Sequence, residues 1–222
     1  MLCSDKTGTL TVGVMKLSRS LDCFGRDSDH VLLLARVNSQ FEMGIHNPLK
    51  EAILAKSCAE AVSYTKCAEI PFDFERRLVS VVVEGESGRR LLITKGAPES
   101  VVARCTSFRS QGGSQPFSED ARMQSGVVFT GLCSEGFRTL AVAFHDVPMR
   151  DEYSRQDEAD LVLAGYLVFE DPVRPDVSEA IAALKKDGVQ LKILTGDNEL
   201  VPSISVRKSD WTLRTLCSAR NW

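Results

Sequence analysis

The chain has 222 residues, 43% of them hydrophobic and 26% charged, with a formal net charge of −3. That balance describes an ordinary globular protein with a buried core, and it excludes a disordered chain or a strongly basic nucleic-acid binder. The longest apolar stretch, Leu161 to Phe169, is far short of the ~20 residues a membrane-spanning helix needs, so a soluble chain is expected.

The cysteine count is odd and no pair has C-x-x-C spacing, which points to reduced thiols rather than a disulfide framework or a zinc site. His30, His46 and His145 have no metal-ligand spacing. No secretory signal opens the chain.

In chain order, Met1 to Ser4 reads as the end of a strand, and Asp5-Lys6-Thr7-Gly8-Thr9-Leu10-Thr11 as a tight polar loop. Asp29 to Asn38 is expected to be helical, with Asp29 as N-cap. Asn47-Pro48 starts a second helix, with a capping Asn and a Pro at the first helical position. Leu78 to Glu84 and Arg90 to Thr94 are expected to form a hairpin across Gly85-Glu86-Ser87-Gly88. Lys95-Gly96-Ala97-Pro98 then opens a helix over Glu99 to Cys105.

Gly112-Gly113-Ser114 reads as a loop, and a helix runs from Ser118 toward Glu135 until Gly136 ends it. Leu140, Val142 and Phe144 alternate as a strand, and a charged stretch separates them from the strand Leu161 to Phe169. Pro175-Asp176 starts a helix that Gly188 ends, and Val189, Leu191 and Ile193 lead a strand into Thr195-Gly196-Asp197-Asn198. The pattern is α/β, and such sheets bind ligands at the carboxyl ends of their strands. An economical layout joins the first strand to these last elements and inserts the middle as a second domain.

Asp5 sits just past a strand end among small polar residues, which suits a carboxylate attacking a phosphoryl group. Neighbouring N–H groups, the hydroxyls of Thr7 and Thr9, and Gly8 can approach the transferred phosphate closely. Mg²⁺ would offset the charge, with Asp5 and the Thr7 carbonyl as oxygen ligands.

Asp5 to Thr11 resembles the phosphorylation motif of P-type cation-transporting ATPases. Three further stretches resemble that family's motifs in its order: Lys95-Gly96-Ala97-Pro98-Glu99, Asp171-Pro172-Val173-Arg174 and Thr195-Gly196-Asp197-Asn198. Within the family, Ile70 to Val83, Ala159 to Tyr166 and Leu191 to Val201 most resemble bacterial magnesium-importing pumps, while calcium and proton pumps share the short motifs.

The resemblance implies a haloacid-dehalogenase-like (Rossmann-like) phosphorylation domain and an inserted α+β nucleotide-binding domain built on an antiparallel sheet. Residues 1–15 and 166–201 would belong to the first, incomplete domain, and 16–165 to the second. It implies ATP and Mg²⁺ as cofactors and a location at the cytoplasmic face of the membrane. The partners would be ATP and the membrane and actuator domains of the pump, whose membrane helices handle the transported cation, with no nucleic acid.

The resemblance also assigns roles. Asp5, Lys6 and Thr7 would be catalytic, with Asp5 and Thr7 at the metal. Thr7, Gly8, Thr9, Thr195, Gly196 and Asp197 would bind the phosphoryl group. Phe72 would stack on adenine, Arg77 would lie beside the nucleotide, Lys95 and Gly96 would line the pocket, Arg138 would reach the phosphates and Arg174 would approach the nucleotide. Dehalogenase-type phosphatases usually carry an acid/base Asp where Thr7 stands, so its absence is expected to let an acyl phosphate persist. The alternatives are a nucleotide-binding module without turnover and a stand-alone phosphatase of that superfamily. The resemblance stops near residue 201 without a GDGxND motif, so phosphorylation of the isolated chain is expected to be inefficient and residues 202–222 to pack poorly.

Overall fold

The computed structural model describes residues 2–44, 47–57, 63–110, 113–172, 174–189, 191–195 and 217–218. The elements run β1 (Leu2–Asp5), a π-helical turn (Lys6–Leu10), β2 (Lys16–Asp22), α1 (Asp29–Phe41), α2 (Pro48–Ala55), β3 (Tyr64–Asp73), β4 (Leu78–Gly85) and β5 (Arg90–Gly96). They continue as α3 (Pro98–Val102), β6 (Cys105–Ser110), β7 (Gly113–Pro116), α4 (Glu119–Ser134), β8 (Arg138–Val147), a 3₁₀ turn (Arg155–Asp157), β9 (Leu161–Glu170), α5 (Val177–Lys186), β10 (Leu191–Thr195) and β11 (Cys217–Ser218). Two compact units result: Leu17–Thr130 with Thr139–Val168, and Met1–Lys16 with Gly131–Arg138 and Phe169–Trp222.

The larger unit is built on an eight-stranded sheet in the order β3-β4-β5-β8-β9-β6-β7, with β2 also paired to β9. From β3 through β8 neighbouring strands are antiparallel, while β6 and β9 run parallel. β4 is Val-rich and buried through Val83, which explains why its apolar run shows no alternation. β3 lies at the edge, so its Pro71 and its charged Lys66, Glu69 and Asp73 are tolerated there. That same polarity is why it carries no strand signal in the sequence.

Local signals hold in several places. The Asn47 carboxamide oxygen accepts from Leu49 N at 2.9 Å and Pro48 is the first helical residue. Gly136 and Gly188 have φ of +80° and +73° and close α4 and α5 with the same paired bonds. In each, the glycine N–H reaches a carbonyl three residues back and the next N–H one five back, which is the Schellman motif.

Other expectations are corrected. The N-cap of α1 is Ser28, and Asp29 lies inside the first turn, where its charge favours the helix dipole. The helix expected up to Cys105 stops at Val102, because Cys105 pairs with Leu161 in the sheet. Gly113 and Ser114 are not loop residues but pair with Ser110 and Arg109 in β7. At Cys105 a long-range ladder overrides the local helical preference, and at Gly113 a local hairpin ladder overrides the loop preference.

In the smaller unit β1 and β10 run parallel, with Leu2 opposite Leu191 and Asp5 opposite Leu194, so strands from the two ends of the chain lie side by side. The tail expected to pack poorly contributes β11, where Cys217 pairs with Leu194 and Ser218 with Thr195; its other residues lie outside the described ones. Among the described residues no helix is long and apolar enough to cross a membrane.

α4 is tied to β9 inside the core. The hydroxyls of Ser125 and Tyr166 meet at 2.7 Å, both buried, and burial pushes the phenol up to about 12. Tyr166→Phe should cost ~1 kcal/mol by leaving the Ser125 hydroxyl unpaired, and Ser125→Ala a similar amount. The double variant should cost less than the sum of the two in thermal unfolding.

Candidate functional site

Lys95 lies on β5 beneath α1. The pairing of β4 with β5 puts Val79 opposite Lys95, and the neighbouring strand β8 puts Val142 beside it. Its ammonium is therefore enclosed, with 4% of the residue exposed. It donates to Ser39 Oγ at 2.6 Å and lies 3.4 Å from the Glu42 carboxylate, both contributed by the C-terminal end of α1. Lys50 reaches the same corner, donating to the Glu42 carbonyl at 2.7 Å. Burial pulls the Lys95 pKa down from 10.5 to about 8, while Glu42 opposes that shift. At neutral pH the group is still a cation held in a low-dielectric pocket.

The same end of the sheet carries Phe72 and Arg77. Between Ile70 and Asp73 the register slips by one residue, a bulge at Pro71 and Phe72. Bulges of this kind re-aim a side chain. Phe72 is 51% exposed and its ring meets Phe74 edge-on at 5.2 Å. Residues 74–77 turn back into β4. Asp73 Oδ1 accepts from the N–H groups of Glu75 and Arg76 at 2.7 and 3.1 Å, and Arg77 N bonds to Asp73 O at 2.6 Å. Those N–H donors hold the Asp73 carboxyl below its ordinary range. Arg77 has φ of +55° and an exposed guanidinium 3.4 Å from Glu99.

Gly96 stands opposite Leu78, and a Cβ there would strike the Arg77 carbonyl and come within 2.9 Å of Leu78 Cα. Its small size is what lets β5 pass this turn. Arg138 is exposed as the first residue of β8, three residues before Ala141, the partner of Gly96.

The structure thus brings Phe72, Arg77, Lys95 and Gly96 to one end of β3, β4 and β5. Arg174 belongs to the other unit, where its guanidinium turns to Asp176 at 3.3 Å. Sequence reasoning missed Ser39 and Glu42, the partners of Lys95. No local signal marks them, since only the packing of α1 on the sheet brings them there.

In the smaller unit Asp5 ends β1, and Lys6–Leu10 form the turn that follows at the carboxyl end of the parallel pair. The side chains of Asp5, Lys6 and Thr7 and the whole of Gly196 and Asp197 lie outside the described residues; Thr195 is the last residue of β10. Thr11, 1% exposed, accepts from Gly8 N at 3.1 Å and donates to Asp171 Oδ2 at 2.7 Å. Asp171 Oδ1 accepts from Gly13 N at 3.0 Å. Val12 N bonds to Pro172 O at 2.8 Å and Arg174 N to Leu10 O at 3.0 Å. The stretch after the polar loop is thereby laced to residues 171–174. Among the described residues no cluster of three His, Cys, Asp or Glu side chains is poised to hold a metal.

Two outcomes follow. Between pH of about 8 and 10.5 the unfolded chain still binds the Lys95 proton that the folded chain has released, so the unfolding free energy should rise with pH across that window, by on the order of 3 kcal/mol. Urea unfolding at both ends of the window should show the rise in the natural chain and not in Lys95→Met. Thr11→Val should cost about 1–3 kcal/mol and speed amide exchange at Gly8, because a buried hydroxyl with two partners is lost.

The family pattern described as P-type ATPase, cytoplasmic domain N matches residues 25–176. The magnesium-transporting ATPase, P-type 1, of Salmonella typhimurium strain LT2 is 41% identical over 207 residues, covering 90% of this chain and 23% of the relative. The protein of the same name from Escherichia coli strain K12 is 40% identical over 207 residues, with the same coverage. A calcium-transporting ATPase of Bacillus subtilis strain 168 is 33% identical over 137 residues, 61% of this chain and 15% of the relative. The chain spans about a quarter of the length of the magnesium-transporting relatives it matches. With the matched pattern covering most of its length, the chain belongs to the P-type ATPase family, in the part described as cytoplasmic domain N.

Proposed function

We propose that this chain binds ATP at the corner of β3, β4 and β5 and serves an ATP-driven magnesium transporter. The observation that supports the proposal is that one end of these paired strands carries a half-exposed aromatic ring, an exposed guanidinium and a buried ammonium: Phe72, Arg77 and Lys95. A ring face suits a purine, and two cations suit a polyphosphate. Arg138 and Arg174 would add charge toward the phosphates. Magnesium is favoured as the cargo because relatives named for it match at 40–41% identity, above the calcium pump's 33%.

The division is proposed as 1–15 and 166–201 for a dehalogenase-like phosphorylation domain, with 16–165 as the nucleotide-binding domain. In this reading Asp5 accepts the phosphoryl group. A carboxylate oxygen attacks the γ-phosphorus, the P–O bond to ADP breaks, and ADP leaves with the negative charge. Lys6, Thr7, Gly8, Thr9, Thr195, Gly196 and Asp197 surround the transferred group. Mg²⁺ at Asp5 and Thr7 would offset its charge, which hard oxygen ligands suit. The Thr7 hydroxyl does not ionise near neutral pH and cannot serve as the acid/base group that an Asp would supply, so the acyl phosphate would outlast that of a phosphatase.

Calorimetric titration with ATP tests the pocket. Phe72→Ala should weaken binding roughly tenfold, the scale of one base–aromatic stack, and an unchanged affinity would sink the base assignment. With γ-labelled ATP and the intact transporter, a hydroxylamine-sensitive label should form and be absent in Asp5→Asn.

A further inference from the structure

On the face of the sheet away from Lys95 lies a buried polar network that no step above uses. Ser80 of β4 and Thr94 of β5 stand opposite each other with hydroxyls 2.8 Å apart. Ser80 Oγ donates to Glu158 Oε1 at 2.7 Å, and the other carboxylate oxygen of Glu158 pairs with the Arg76 guanidinium. Glu158 is 2% exposed and the Arg76 side chain is nearly as enclosed. Arg76 also donates from its second terminal nitrogen to the Pro71 carbonyl at 2.7 Å, while its Nε lies 3.7 Å from Asp73 Oδ2. One guanidinium therefore links a buried carboxylate to the backbone of the β3 bulge.

A buried ion pair is a weak source of net stability, since removing both charges from water offsets their attraction. What it supplies is geometry: a planar guanidinium with fixed donors tolerates few arrangements of its acceptors. The acceptor on the strand is the carbonyl of Pro71, whose peptide bond leads directly into Phe72. Pro71 cannot donate a ladder hydrogen bond, so the bulge depends on other ties. Glu158 in turn is held by the turn before β9, where Ser154 and Asp157 form a reciprocal capping box.

We propose that Glu158 and Arg76 are positioning residues for the nucleotide base: their ion pair, through the Pro71 carbonyl, holds the β3 bulge in the form that presents Phe72. This rests on the assignment of Phe72 to the purine. Neither residue touches the ligand; both act through the backbone next to Phe72. The hydroxyl pair Ser80–Thr94 anchors Glu158 from the centre of the sheet.

The test is a double-mutant cycle on ATP affinity, read by calorimetry on the full chain with Glu158→Gln, Phe72→Ala and both together. Glu158→Gln should weaken ATP binding about fivefold in the natural background and not at all when Phe72 is already Ala. The same factor in both backgrounds, or no loss in either, overturns the proposal, because general damage to the unit would act with or without the ring. If Phe72→Ala alone leaves affinity unchanged, the base assignment itself fails and the proposal falls with it; the two failures are thus told apart. Should circular dichroism show Glu158→Gln unfolded, Ser80→Ala replaces it in the same cycle. It removes one donor to Glu158 and keeps the ion pair, and a loss of about twofold confined to the Phe72 background is expected. Equal losses with and without the ring again overturn it.

Discussion

Ser80 stands opposite Thr94, Val79 opposite Lys95 and Leu78 opposite Gly96, and that register of β4 on β5 sets the other placements in the larger unit. A slip of one residue would carry every side chain of a strand to the other face. Lys95 would leave the shelter of α1, and Ser80 would lose Glu158. Gly96 would no longer sit where β5 crosses the turn that holds Arg77. The register is strongly specified because both faces of β4 are buried through Val83, so a slip would exchange two packed layers at once.

The sheet carries one buried charge system on each face. Beneath α1, Lys95 is paired with Glu42 and Ser39 near Lys50. On the other face Glu158 is paired with Arg76 and hydrogen-bonded by Ser80. The two differ in what they leave available. Burial weakens the hold of Lys95 on its proton, and Glu42 opposes that shift. Glu158 has its charge met by Arg76 and its other oxygen met by Ser80, which suits a brace rather than a ligand.

The smaller unit follows a different logic. Its parallel pair β1–β10 joins segments from opposite ends of the chain, and the Thr11 hydroxyl is held both by its neighbour Gly8 and by Asp171. The carboxylate of Asp171 meets both the Thr11 hydroxyl and the Gly13 N–H, so the stretch after the loop is ordered by a residue in the following crossing of the chain. The bonds join Leu10, Thr11, Val12 and Gly13 to Asp171, Pro172 and Arg174.

Much of the secondary structure of both units was legible along the chain. The apolar runs of β4, β5, β8 and β9, the Asn47-Pro48 start and the glycine stops of α4 and α5 all follow from residue type, because periodicity, capping and left-handed φ are local properties. The polar corner of Phe72, Arg77, Lys95 and Gly96 was legible as a set of motifs. Ser80 and Thr94 were a signal that went unused: each interrupts an apolar strand. The edge strand β3, the end of α3 at Val102 and the strand character of Gly113 were not legible: β3 and Gly113 lie in polar segments whose strand character comes from pairing with the adjacent strand, and Cys105 is drawn into the sheet by Leu161, far along the chain.

The sequence alone determined the strand and helix chemistry and the family resemblance. Only the tertiary structure decided that Lys95 is enclosed by Ser39 and Glu42, that Arg76 faces Glu158 instead of solvent, and that Thr11 answers to Asp171. The reason is physical: burial and charge pairing are properties of neighbours in space, and here those neighbours come from distant parts of the chain.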